Sequence, residues 1–155
     1  MSYDKKIATI LFQLDTLSAG NRTIQEKVAK VRGEWEMERN STVVISEPMR
    51  AQLNRVIHAT RAFDTGLRLF LDKYNHRSNN SHAISDYIKD LQRNVTNTTG
   101  FKQLDGTYTK KIQEEVTDKR NSYVHAAGAF PTKEEANFVI SRILEYYTIV
   151  LGLAK

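Results

Sequence analysis

The stretch "SEPMRAQLNRVIHATRAFDTGLRLFLDKYN", residues 46–75, decides the fold class. Met49, Leu53, Val56, Ile57, Phe63, Leu67, Phe70, Leu71 and Tyr74 recur at helical spacing and form the longest apolar stripe in the chain. Ser46 offers a cap, and Pro48 falls in the first turn, where its missing N–H costs nothing. The spacing predicts a helix over about 47–75 that acts as the central strut.

The same period runs outward in both directions. Upstream, Ile7, Ile10, Leu11, Leu14 and Leu17 share one side, and Ile24, Val28, Val31 and Trp35 continue the pattern after Gly20. Residues 5–38 therefore form one kinked helix or two in succession, with Asn21 or Thr23 as a cap and Thr23/Glu26 spaced as a capping box. "NSTVVI", 40–45, reads as a break, and "NHRSNNSH", 75–82, as a polar loop. Ala83, Ile84, Tyr87, Ile88 and Leu91 mark a short helix. Residues 94–109 hold turn formers without a clear period and read as a long connection.

A helix follows over about 109–128, with Ile112, Val116, Tyr123, Val124 and Ala127 on one side and Gly128 and Pro131 as its stop. Thr132 and Glu135 form another capping box. The last helix, about 133–151, carries Ala136, Val139, Ile140, Ile143, Leu144, Tyr147, Val150 and Leu151 in its stripe. Phe138 and Ile149 fall outside it and Tyr146 lies at its edge, so this helix is either central or covered by another chain. The expected architecture is an all-α antiparallel bundle of about four to five helices, a single domain over residues 1–155.

Bulk properties agree. The 155 residues suit one domain, which buries roughly 70% of its unfolded-chain surface. There is no cysteine, which excludes disulfides and thiolate zinc sites. "MSYDKKIATILFQLD" is neither a signal peptide nor a membrane span, and no apolar run approaches ~18 residues. The expectation is a soluble cytoplasmic protein with no membrane partner, in which the sequons at Asn21, Asn40, Asn94 and Asn97 arise by chance. The net charge of +5 and pI of about 9.4 are compatible with a nucleic-acid partner, but acidic residues are interspersed throughout.

The segment "DKRNSYVHAAGAFPTKEEA", 118–136, carries the chemistry. With Ile112 at zero on a helical wheel, Arg120 falls at about 80°, inside the apolar arc. Asn121 lies at about 180° and His125 at about 220°, one turn apart on the outward face. An arginine in an apolar arc is paired, or it snorkels to an edge. Arg120 and His125 stand about 140° apart, so a distorted helix, a long reach or a second copy of the helix is needed to bring both to one phosphate.

The run Arg120-Asn121-Ser122-Tyr123-Val124-His125 resembles the signature of the HEPN superfamily, an arginine followed by a polar residue and then a histidine after four to six positions. The same spacing occurs at Arg77-Ser-Asn-Asn-Ser-His82, which sits in the polar loop, has serine in second position and has no rigid element to hold it. HEPN domains are helical bundles with the motif on a late helix before a final long helix, and the order of elements here is similar. The resemblance implies a metal-independent endoribonuclease of toxin or phage-defence type, with no cofactor. It implies a homodimer with a composite site at the interface, and an antitoxin or defence-complex protein as a possible partner. Some HEPN domains have lost catalysis and serve as scaffolds. In one toxin branch a tyrosine two residues after the histidine is modified; here that position is Ala127.

The implied reaction is attack of a ribose 2′-OH on the adjacent phosphate. Imidazole exchanges protons at about pH 6.5, which suits His125 to acid–base work. Arg120 would hold the phosphorane oxygens with its planar fork, and Asn121 would orient the phosphate or His125. Lys110, Lys111 and Lys119 would add RNA phosphate contacts, or serve only as solvated helix charges, with Glu115 and Lys119 pairing at i, i+4. No metal site is expected: His58, His76 and His82 lack partners at ligand spacing, and His58 lies opposite the stripe of its helix, in solvent.

Overall fold

The central helix is α3, Pro48–Lys73, and the other helices pack around it in a computed structural model that describes residues 3–95 and 98–154. Its N-terminus is capped by Glu47 and not by Ser46: Glu47 is extended, and its carboxylate accepts from Arg50 N at 2.6 Å. Carboxylate and hydroxyl caps satisfy the same orphan N–H groups, so a one-residue shift costs nothing. Phe63, Leu67, Leu69, Phe70 and Leu71 are all buried on this helix.

α1, Tyr3–Ser18, and α2, Arg22–Val44, are two separate helices. Gly20 makes the break with φ of 77°, a left-handed conformation that suits glycine, and Asn21 accepts from Ile24 N to cap α2. The pair is antiparallel, joined by Asp15–Arg32 at 2.9 Å near the turn and Asp4–Arg39 at 3.0 Å at the far end. α2 runs back along α3 in turn, with Lys27 against Asp72 and Asn54 Nδ2 donating to Ser41 Oγ.

Two sequence expectations fail here. The break expected at 40–45 begins only at Ile45, because Ser41 is buried, donates to Met37 O and ties the last turn of α2 to α3. This extension leaves Val43 and Val44 exposed at its tip. His58 is buried and not solvated: Nδ1 lies 2.5 Å from Glu34 Oε2, and Arg61 Nε lies 3.1 Å from the other oxygen. A partner on α2 brings the histidine inside, and one-helix periodicity does not contain that partner.

The polar loop after α3 is more tied down than its composition suggests. Arg77 Nε donates to Asp72 at 2.6 Å, and Arg77 Nη1 donates to Ser81 O. Asp90 accepts from Ser78 N, Ser78 Oγ and Ser81 Oγ. Burial pushes the Asp90 carboxyl up, but these donors outweigh it and hold it below the usual carboxylate range. α4, Ile84–Asp90, then continues into a π-helical turn at Leu91–Val95. Asn94 is half-buried and donates to His76 O, while the sequon at Asn97 lies outside the described residues.

α5, Gly106–Ile112, starts three residues before the expected Thr109, because Asp105 accepts from Thr107 N at 2.8 Å. It passes through a π-helical segment, Gln113–Thr117, into α6, Asp118–His125. α6 ends at His125, with Gly128 turning the chain at φ of 78°. α7, Lys133–Leu151, spans the expected range and opens with the Thr132/Glu135 capping box. It lies parallel to α3, with Tyr147 Oη donating to Ala62 O across Gly66. The edge of its stripe is covered within the chain: Tyr146 is buried against Tyr108 and bonded to Glu115. Phe138 stays 40% exposed beneath Arg142.

Among the described residues there are seven α-helices and no β-strand, only the single bridge Phe101–Ala154. No described helix is long and apolar enough to cross a membrane.

Candidate functional site

α6 inherits its orientation from the π-helical segment before it. Bonding from i to i+5 accommodates an extra residue and turns everything downstream by about 100° relative to a straight helix. The effect is visible along α7. Glu115 and Tyr123 stand about 80° apart on a straight wheel, yet both face α7. Glu115 bonds to Tyr146 and lies 3.4 Å from Arg142, and Tyr123 Oη donates to Glu135 at 2.9 Å. Burial, with the Glu135 carboxylate beside it, pushes the Tyr123 phenol up to about 12.

The expected i, i+4 pair of Glu115 with Lys119 therefore does not form, because Glu115 is committed to α7. Val124, expected in the apolar arc, is exposed, and Ala127 is exposed because it lies beyond the end of α6 at His125.

The same rotation turns Arg120 toward α3. A cleft of about 470 Å³ opens between α3, the start of α4 and α6, walled by Thr60, Arg61, Asp64 and Thr65, by Ala83 to Ser85, and by Thr117, Arg120 and Asn121. Arg120 is half-buried; its Nη1 donates to Asn121 Oδ1 at 3.3 Å, and it makes no ion pair among the described residues. Asn121 thus joins Arg120 in the cleft, although the straight wheel grouped it with His125 on the outer face. Thr117 Oγ1 is buried in the same wall without a hydrogen-bond partner among the described residues.

Asp64 faces Arg120 across this cleft. Burial pushes its carboxyl above the usual carboxylate range, and Arg68 and Arg120 pull it part of the way back. It makes no hydrogen bond or ion pair among the described residues. Sequence reasoning missed this residue. The available signal was a carboxylate placed beside Phe63 on the helix with the longest apolar stripe.

His125 closes α6, exposed and outside the cleft lining. The structure thus brings Arg120 and Asn121 together and leaves His125 apart from them. Of the three lysines, Lys110 pairs with Glu114 at 3.8 Å, Lys111 sits over the Tyr108 ring, and Lys119 is exposed near Glu135. None lines the cleft of Arg120.

The second arginine–histidine spacing, Arg77 to His82, differs in kind. The loop is held, contrary to the sequence reading, but Arg77 is engaged by Asp72 and Ser81. No group of three or more His, Asp or Glu residues fit to hold a metal ion occurs among the described residues. Comparison of the chain with protein-family models, with curated proteins and with solved structures finds no match.

Proposed function

We propose that this chain is a metal-independent endoribonuclease of HEPN type, working as a homodimer with a composite site. The observation that carries the reading is the state of Arg120. Arg120 is half-buried, lines a cleft beside Asn121 and has no carboxylate within ion-pairing distance among the described residues. A partly buried, unpaired arginine is well placed to take an anion, and its planar fork suits two phosphate oxygens.

His125 supplies proton transfer from the exposed end of the same helix. Its separation from Arg120 favours a second copy as the means of assembling both groups at one phosphate. Exposed Val124, with Phe138 exposed one turn beyond Glu135 on α7, offers apolar rim for such a contact. In the reaction, Arg120 and Asn121 hold the phosphate and stabilise the charge that develops on it. His125 exchanges a proton with the attacking or leaving oxygen. The toxin or defence setting, with an antitoxin as regulator, belongs to this same proposal.

The test is incubation of purified protein with defined RNAs in EDTA. Fragments ending in 2′,3′-cyclic phosphate are expected from the wild type and from neither Arg120→Ala nor His125→Ala, with far-UV circular dichroism unchanged. Persisting cleavage in both variants overturns the assignment. A wild type that leaves RNA intact points instead to an inactive HEPN-like scaffold.

A further inference from the structure

Cleavage by an internal 2′-OH needs a base for the attacking oxygen and an acid for the leaving one. The motif offers a single acid–base side chain, His125, for both. The cleft supplies a second group. Asp64 and Arg120 wall the same cavity, and neither is in an ion pair among the described residues. One carboxylate and one guanidinium, neither of them ion-paired, ask for a ligand that carries a hydrogen-bond donor next to an anion. A ribose 2′-OH beside its 3′-phosphate has that pattern, and DNA lacks it. The volume of about 470 Å³ lies within the range of small-ligand sites.

We infer that the α3–α4–α6 cleft seats the ribose and scissile phosphate of an RNA strand, and that Asp64 is the general base for its 2′-OH. This rests on the ribonuclease reading above and deepens it. Asp64 Oδ takes the 2′-OH proton while the 2′ oxygen forms its bond to phosphorus. The P–O5′ bond breaks, its electron pair leaves on O5′, and His125 donates the proton that O5′ needs. The products are a 2′,3′-cyclic phosphate and a 5′-hydroxyl. Asp64 is left protonated and His125 deprotonated, and proton exchange with water resets both. The groups around Asp64 are Arg61 and Arg68 on α3, Tyr87 on α4 and Arg120 on α6. Burial keeps the carboxyl less acidic than a surface aspartate, which improves it as a base near neutrality.

Two measurements on the full chain test this. The first compares cleavage of an RNA oligomer with that of the same oligomer carrying a 5′-thio leaving group, which needs no acid. Asp64→Asn is expected to slow both substrates about 100-fold or more at saturating RNA. Asp64→Glu, which restores the carboxylate one methylene further out, keeps part of the rate. His125→Ala cleaves the thio substrate and not the normal one. Asp64→Asn cleaving within about tenfold of the wild type, or recovered by the thio leaving group, overturns the base assignment and leaves the ribonuclease reading standing.

The second measurement is fluorescence anisotropy with the RNA oligomer and its fully 2′-deoxy counterpart, in EDTA. The wild type is expected to prefer the ribose form, and Asp64→Asn to lose the preference. If the wild type cleaves nothing, the ribonuclease reading and the base assignment fall together. A ribose preference lost in Asp64→Asn then still supports the cleft as the ribose seat, and equal binding of the two oligomers overturns that too.

Discussion

At Gly66 the Tyr147 side chain of α7 lies against the backbone of α3. A Cβ built there stands 1.6 Å from Tyr147 Oη, 2.2 Å from Cζ and 2.7 Å from Cε1. Tyr147 is fully buried, donates to Ala62 O at 3.0 Å and stacks at a tilt on Phe63 at 5.4 Å. A methyl group at residue 66 therefore cannot be met by a small shift, and the ring must leave its site. Overpacking a core costs about 1–3 kcal/mol. Stranding the buried phenol without its acceptor costs about 1–3 kcal/mol more. Alanine recovers about 1 kcal/mol through helix propensity. Gly66→Ala should thus destabilise by about 3 kcal/mol and lower Tm by roughly 6–12 °C for a domain of this size.

Thermal melts and urea titrations followed by circular dichroism measure it. In a Tyr147→Leu background the obstructing ring atoms are gone, and the same substitution should be close to neutral. The coupling between the two changes should be about 2–3 kcal/mol. A Gly66→Ala protein as stable as the wild type, or equal losses in both backgrounds, would refute the packing of α7 on α3.

Acid should loosen the chain between α3 and α4. Burial pushes the Asp72 carboxyl up, but hydrogen bonds from Arg77 and Lys27 outweigh it and hold it below the usual range, as the serine donors do for Asp90. A carboxylate whose pKa is lower in the folded state contributes stability that is complete above the ordinary aspartate value of about 3.9 and is lost as pH falls through the lowered value. Tm measured from about pH 6 to about pH 2 should fall less steeply for Asp90→Asn than for the wild type; parallel curves would contradict this. Deleting Glu114 should convert the π-helical segment to a regular helix and leave the phase of α6 unchanged, because the π turn holds one residue more than an α turn over the same rotation. The variant should retain its helicity and its RNA cleavage; a deletion that loses cleavage while staying helical would show that the phase of α6 is set in another way.

Much of the fold was legible because burial follows a period of 3.6. α7 was bounded to the residue by its capping box and stripe, and Pro48 and Gly20 marked real helix ends. Two failures share a cause, which is a partner on another helix: Ser41 extends α2 through a bond to Asn54, and Glu34 draws His58 inside. The third is local, with Glu47 superseding its neighbour Ser46 as a cap. The site was half legible. The wheel flagged Arg120 correctly as a cation at the edge of the core. It could not foresee the widened turns at 113–117, because helix periodicity assumes a uniform rotation per residue, and so it sent Asn121 outward with His125. Asp64 was invisible for the same reason as Glu34: its significance lies in what faces it from another helix.

The composite site is the central claim, and mixing two inactive variants tests it most directly. Arg120→Ala keeps a functional His125, and His125→Ala keeps a functional Arg120. When the two are unfolded, mixed in equal amounts and refolded together, half of the dimers are heterodimers, and one of the two sites in each pairs an intact arginine with an intact histidine. The account predicts cleavage restored to about a quarter of the wild-type rate, as a two-fold interface requires, from proteins that are each inactive alone. No recovery in refolded mixtures shown by gel filtration to contain dimers, or activity in either variant by itself, would contradict it.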